Sequence, residues 1–211
     1  MTYGLTFTNN SDVVTLDTEF SRLVVIYKGD YGPSGADFPY PITSQEPPLI
    51  FARPASGAWQ WVSLLGSPGN WTGWRNGVSN GSGSYFIAAY ESSTTAVYGM
   101  RLWGGDTKLL FDSGTPCAQF TDVVAGWSFA GSTNNSPGRW VFTFVAGVPL
   151  NTGNYMLINN IAMNLPGNDT FSLLGCGWNY ANNTVIVTLQ NIGDFNGSSL
   201  FLPLLFAKPA S

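Results

Sequence analysis

From Tyr98 onward, Tyr98, Met100 and Leu102 alternate with Gly99, Arg101 and Trp103. An apolar side chain at every second position predicts a strand with one buried face. Gly104 and Gly105 follow, and glycine supplies the positive φ that a tight hairpin needs. Residues 108–112 then read as the return strand. The same phrase opens the chain: Tyr3 falls on Tyr98, Gly4 on Gly99, Leu16 on Phe111, Asp17 on Asp112 and Thr18 on Ser113, without a gap. There the loop is Asn- and Ser-rich, and Asn tolerates the left-handed geometry of a turn. A second phrase also recurs, LIFARPAS at 49–56 and LLFAKPAS at 204–211. Two phrases repeated in the same order point to duplication of a structural unit.

The remaining pattern is a series of short apolar runs separated by Gly, Pro, Asn and Ser. Strands are expected at 22–29, 49–54 and 57–65, and a three-stranded meander at 85–114. Further strands are expected at 139–147, 154–164, 170–178, 183–191 and 199–209. Residues 30–48 and 66–84 are too rich in Pro and Gly for regular structure and read as long loops. No segment has a helical period. The expectation is an all-β fold, an antiparallel β-sandwich or jelly-roll-like arrangement, built from two related halves that each open with a β-hairpin. One domain over 1–211 with an internal duplication is the first reading, and two β domains at 1–95 and 96–211 the alternative.

Composition narrows the class of protein. Of 211 residues only 9% are charged, while 15% are aromatic, including 8 Trp. That balance belongs to a folded chain, not a disordered one. A surface of Asn, Ser, Thr and Gly suits dense packing into an assembly, because few ions must be desolvated. The net charge is −4, and the 8 basic residues are scattered singly. Without a basic stripe, neither nucleic acid nor an anionic membrane is an expected partner. No apolar run reaches the length of about 18 residues that a spanning helix needs, so no membrane insertion is expected. The chain moves directly into a strand pattern, so no secretory leader is expected. Cys117 and Cys176 are the only cysteines and are expected as buried free thiols. Asn9, Asn70 and Asn80 begin sequons, read here as Asn-rich composition.

Chemistry is sparse. The chain has no histidine, which removes the commonest general base, the Ser-His and Cys-His pairs and most zinc sites. Gly77, Ser79 and Gly81 have the spacing of a nucleophile elbow, but lie in a Gly/Ser stretch without a histidine to activate Ser79. No metal and no cofactor is expected; GDFNG at 193–197 carries only a fragment of a calcium loop and reads as a turn. Carboxylates such as Asp30, Asp37, Asp106 and Asp122 leave open a pair of the kind glycoside hydrolysis needs. Asp17 and Asp112 end hairpin strands, where Asp bonds to turn amides. The candidate binding residues are Trp71, Trp74, Arg75 and Asn76. Aromatic rings in a polar loop can stack on a sugar whose hydroxyls Asn70 and Asn76 would bind. They can equally anchor a protein partner, or fold back on the core.

The doubled phrase Tyr-Gly-[Leu/Met], a short Asn/Gly turn and then [Leu/Phe]-Asp-[Thr/Ser] resembles the opening of small tail-tip and tail-fibre-associated virion proteins of long-tailed bacteriophages. It is carried by Tyr3, Gly4, Leu5, Leu16, Asp17 and Thr18, and again by Tyr98, Gly99, Met100, Phe111, Asp112 and Ser113. The likeness covers the two hairpins and the two recurring tails, and carries over no catalytic residue. It implies a structural protein of the distal tail, not an enzyme, assembled in the bacterial cytoplasm and located in the virion. It also implies partners: other tail proteins and copies of itself, a trimer before other states, with a host surface glycan or receptor as a further partner. The alternatives are a carbohydrate-binding, lectin-like module that recognises host glycan, and a depolymerase built on two carboxylates.

Overall fold

The computed structural model describes residues 6–8, 14–17, 22–56, 58–77, 81–93, 95–136, 139–148, 153–162, 164–166, 171–192 and 199–210. In chain order the strands are β1 (Thr6–Thr8), β2 (Val14–Asp17), β3 (Val24–Tyr31), β4 (Gly35–Ile42), β5 (Leu49–Ser56), β6 (Ala58–Gln60), β7 (Ser63–Ser67), β8 (Asn70–Arg75) and β9 (Ser82–Ala89). There follow β10 (Arg101–Trp103), β11 (Leu109–Asp112), β12 (Ala118–Val124), β13 (Ser128–Ser136), β14 (Arg139–Gly147), β15 (Tyr155–Leu157), β16 (Asn164–Pro166), β17 (Phe171–Asn179), β18 (Thr184–Ile192) and β19 (Leu204–Pro209). Among the described residues one 3-10 turn, Asn159–Ala162, lies between β15 and β16. Among the described residues the fold is all-β, and the strand ladders are antiparallel.

Three sheets enclose the main core. The first has six strands in the order β12-β19-β15-β5-β9-β3; the second runs β13-β14-β18-β17-β16, with β6 also on β17; the third is β4-β8-β7. Each contributes to one cluster: Ile50, Ile87 and Phe206 from the first, Phe144, Cys176 and Val187 from the second, Phe38, Ile42 and Trp74 from the third. Burying a side chain of this size stabilises the fold by about 1.5–3 kcal/mol. Both cysteines are free; Cys176 is buried and Cys117 only partly so. Burial among apolar neighbours pushes the Cys176 thiol up.

The first sheet is apolar on both faces, which explains unbroken runs such as LIFA and YFIAA. Ile50 and Ala52 face the main core, while Phe51 joins Val25, Phe86, Ala88 and Ala207 in a second cluster on the other side. The outer strands of that sheet meet at one end: Val24 bridges Cys117, the Val25 N–H donates to the Pro116 carbonyl at 2.7 Å, and Ala118 N–H to the Leu23 carbonyl at 3.1 Å. The sheet therefore curls until its edges touch, and the curl encloses the second cluster. Inside it Phe51 and Phe86 stack at 4.8 Å with planes 9° apart.

Two further sheets are hairpins, β1-β2 and β10-β11. In the first, Thr6 opposes Asp17, Phe7 opposes Leu16 and Thr8 opposes Val14, with a register shift between Phe7 and Thr8. In the second, Arg101 opposes Asp112, Leu102 opposes Phe111 and Trp103 opposes Leu109, with the shift between Leu102 and Trp103. Each pair in one hairpin is the aligned pair of the other.

Several expectations are corrected. Residues 30–48 are not a loop, because they hold β4, whose Phe38 and Ile42 point into the core. Pro39 and Pro41 are tolerated because β4 is an edge strand whose pairing with β8 skips from Asp37 to Ile42. Residues 66–84 are not a loop either. β7 and β8 form a hairpin there, turned at Gly66 (φ 107°) and Gly69 (φ 81°). Nor do 85–114 form one meander, since β9 lies in the six-stranded sheet and β10-β11 form their own. β12 and β13 were not expected: β13 (Ser128–Ser136) is polar and largely exposed at a sheet edge, so it lacks an alternating apolar face.

Candidate functional site

Of the sequence-derived site residues, the structure brings Trp71, Trp74, Arg75 and Asn76 together on β8 and the turn after it, and uses all four internally. Trp74 has no solvent exposure, and its ring packs 5.1 Å from Tyr31 and 6.0 Å from Tyr85. Trp71 is buried and its indole N–H donates to the Ser44 carbonyl at 3.0 Å. Asn76 is buried as a clamp: its side-chain oxygen accepts from the Gln60 N–H at 2.9 Å and its amide donates to the Ala58 carbonyl at 3.0 Å. Arg75 forms an exposed ion pair with Asp37 at 2.7 Å. Neither indole presents a face to an outside ligand. The Gly66-Ser-Pro-Gly69 turn, between residues able to pair, was the signal for a hairpin.

Three of the four carboxylates considered for hydrolysis have separate partners. Asp37 holds Arg75, Asp106 accepts from the Lys108 N–H at 3.0 Å within its turn, and Asp122 accepts from Asn154 at 2.8 Å. Asp30 lies on the wall of a surface hollow. Among the described residues no group of three or more His, Cys, Asp or Glu could hold a metal ion, and no helix is long and apolar enough to cross a membrane. Ser79 and the GDFNG turn lie outside the described residues.

The second hairpin is built as a platform. Its anchor is Asp112, whose carboxylate is fully buried and ion-paired to Arg101 at 2.7 Å. The carboxylate also accepts from the backbone N–H groups of Gly114 at 2.8 Å, Ala96 at 3.0 Å and Thr95 at 3.3 Å. The Arg101 guanidinium, followed by these three amides, holds the carboxyl well below the usual carboxylate range despite its burial. This is the turn-amide role expected of Asp112, with a cation added. The linker before the hairpin and the turn after it are thereby tied to one charge. Arg22 lies over the Phe111 ring at 5.1 Å, fixing the hairpin against the start of β3.

What the platform presents is apolar. Tyr98 is 92% exposed, Val97 88% and Trp103 54%, with Met100 beside them. Gly99 stands between Tyr98 and Met100 at φ 146°, a conformation that side chains rarely adopt. A rigid base holding large exposed apolar groups can bury surface against another molecule. The alternation of Tyr98, Met100 and Leu102, read as a buried face, is thus exposed at its first two positions.

Comparison with protein-family models, with curated proteins and with solved structures returned no match to this chain.

Proposed function

We propose that this chain is a structural subunit of a bacteriophage virion, located in the distal tail and acting by assembly with copies of itself and with other tail proteins. In this reading it is a single domain of two related halves and performs no catalysis. The carrying observation is the second hairpin, where Val97, Tyr98, Met100 and Trp103 stand exposed on a base pinned by Asp112. Large apolar side chains gathered on one hairpin mark an interaction surface more often than a bare one. The resemblance of the doubled hairpin phrase to tail-tip and tail-fibre-associated proteins supplies the setting, and the identical register of the two hairpins supports a repeated unit.

Strand order supports the same reading of two halves. Across the six-stranded sheet the sequence β3-β9-β5 meets β15-β19-β12, so each half of the chain supplies its first, last and middle strand in mirrored order. On the facing side, β4-β8-β7 parallels β14-β18-β17.

The test pairs sedimentation with composition of particles. Wild-type protein should sediment as an oligomer, a trimer before other states, and be present in purified virions by mass spectrometry. Tyr98→Ser with Trp103→Ser should leave the fold intact by circular dichroism and reduce the oligomer to monomer. A wild-type monomer absent from particles would overturn the proposal.

A further inference from the structure

A hollow of about 410 Å³ opens where the ends of β3, β5 and β9 meet the turn after β17. Asp30, Tyr31, Arg53, Ser84 and Tyr180 are among its walls. Nothing in the assembly reading uses it, and three observations distinguish it from an ordinary surface dent.

The first is the state of Arg53. Its guanidinium lies 5.5 Å from the centre of the Trp178 ring and 5.4 Å from that of Tyr180. One nitrogen also donates to the Asn154 carbonyl at 3.2 Å. A stacked and hydrogen-bonded arginine has lost its rotamer freedom before any ligand arrives, so binding does not have to order it. Tyr180 is fixed in turn, its phenol donating to the Pro54 carbonyl.

The second observation concerns unsatisfied polar atoms. Tyr31 is 4% exposed, lines the hollow, and its phenolic oxygen has no hydrogen-bond partner. Burial pushes that phenol up, and the Trp59 indole offsets part of the effect without the two meeting in hydrogen-bonding geometry. The indole nitrogens of Trp59, Trp74 and Trp178 are also without partners. These rings are neighbours: Tyr31 packs on Trp74 at 5.1 Å, and Trp59 on Trp178 at 6.1 Å. Buried donors normally find partners, and since these atoms lie behind the wall of the hollow, a buried water there would complete them.

The third observation is the mixture on the rim. Arg53 offers a planar fork suited to a carboxylate. Asp30 offers an acceptor, which would repel a simple anion but would hold the hydroxyls of a polyol. Ser84 offers a hydroxyl, and the Tyr180 ring an apolar face. A cation, a carboxylate acceptor and an aromatic face around one shallow hollow match a ring that carries both hydroxyls and a carboxylate.

We propose that the Arg53–Tyr180 hollow is a binding site for an acidic pyranose, a six-membered sugar bearing a carboxylate. The carboxylate pairs with Arg53, the hydroxyls face Asp30 and Ser84, and the sugar's apolar face lies on Tyr180. The site is independent of the assembly surface on the second hairpin, so either reading stands or falls alone.

The experiment titrates glucuronate, glucose and acetate into the full-length protein, with binding read by ligand-observed NMR and by changes in tryptophan fluorescence. The expected result is that glucuronate binds at least about tenfold more tightly than either control, as a charge-assisted hydrogen-bonded pair adds to the hydroxyl contacts. Arg53→Gln should remove the preference over glucose, and Asp30→Asn should weaken glucuronate and glucose alike. Asp30 is exposed at the rim, so Asp30→Asn keeps the test valid where Arg53→Gln disturbs the fold. Absence of glucuronate binding overturns the proposal. So does acetate binding as tightly as glucuronate, which would make the hollow an anion site only, or an affinity unchanged in both variants.

Discussion

In the two hairpins, Phe7 is paired in register with Leu16 and Leu102 with Phe111, and the register shift falls at the same step. In the two tail phrases, Phe51 of LIFA and Phe206 of LLFA occupy the same place in the words but opposite faces of the sheet. Phe51 points into the curl with Phe86, and Phe206 into the main core with Met156 and Val187. The strands also hold different places, since β5 and β19 flank β15 from either side. In the mirrored strand order, the counterpart of β19 is β9. A hairpin phrase carries its own turn, and the turn fixes the register. A strand phrase that is apolar at every position carries no such instruction. It states only that both faces will be buried, and its neighbours decide which face receives which side chain. The hairpin echo is therefore the sounder mark of a duplicated unit, and the tail echo reflects a shared environment.

The largest test of this contrast is to empty each face separately. Phe51 and Phe206 are both fully buried, so each Phe→Ala change should cost about 3–5 kcal/mol. Because they lie in different clusters, the losses should add to within about 0.5 kcal/mol in the double variant. Urea unfolding of the singles and the double checks this. Strong non-additivity would mean that the two phrases share one packing environment after all.

Next in size is a backbone change in the hairpins. A Cβ on Gly99 would sit 2.0 Å from the Ser113 hydroxyl, which accepts from the Met100 N–H, and the residue's φ is 146°. Gly99→Ala should cost about 1–3 kcal/mol, the usual strain of a disfavoured backbone conformation. The aligned change is Gly4→Ala. An equal loss in thermal unfolding would extend the likeness of the hairpins from register to dihedral angles, and a negligible one would confine it to register.

The same contrast explains how much of the fold was legible. Hairpins were readable because alternation and turn residues lie within a few positions of one another. β14, β17 and β18 were readable because their apolar runs are long. β4 and β8 were not: their Pro and Gly content resembles a loop, and only pairing with each other shows that the edge position tolerates it. For the same reason the sequence around the tryptophans of β8 leaves three readings open: core, partner anchor and ligand contact. Once the segment is a strand under the core, Trp74 has nowhere to point but inward. The Arg53 hollow had no local signal, because its walls come from three strands and a turn that are distant in sequence. The mirrored strand order was equally hidden, since its matching strands share no recurring phrase.

The smallest expected effect, and the finest discrimination between the hairpins, is one of pH. The Asp112 carboxyl is held below its ordinary value of 3.8, first by Arg101 and then by the amides of Gly114, Ala96 and Thr95. A depressed folded pKa means that the unfolded chain takes up the proton first. The stabilisation is complete above the unfolded value and is lost as pH falls below it toward the folded one. Asp112→Asn removes this dependence, so the gap between wild type and variant should be widest near neutrality and close as the pH drops below about 4. In the first hairpin the residue opposite Asp17 is Thr6, where the second has Arg101 opposite Asp112. The leading cause of the depression thus has no counterpart at the aligned position, and Asp17→Asn should flatten the acid limb less. Melting temperatures followed by circular dichroism from pH 7 to pH 2 measure both slopes. Equal slopes would show that the amides around each aspartate, not the guanidinium, set its acidity, and that the two hairpins share their electrostatics as well as their register.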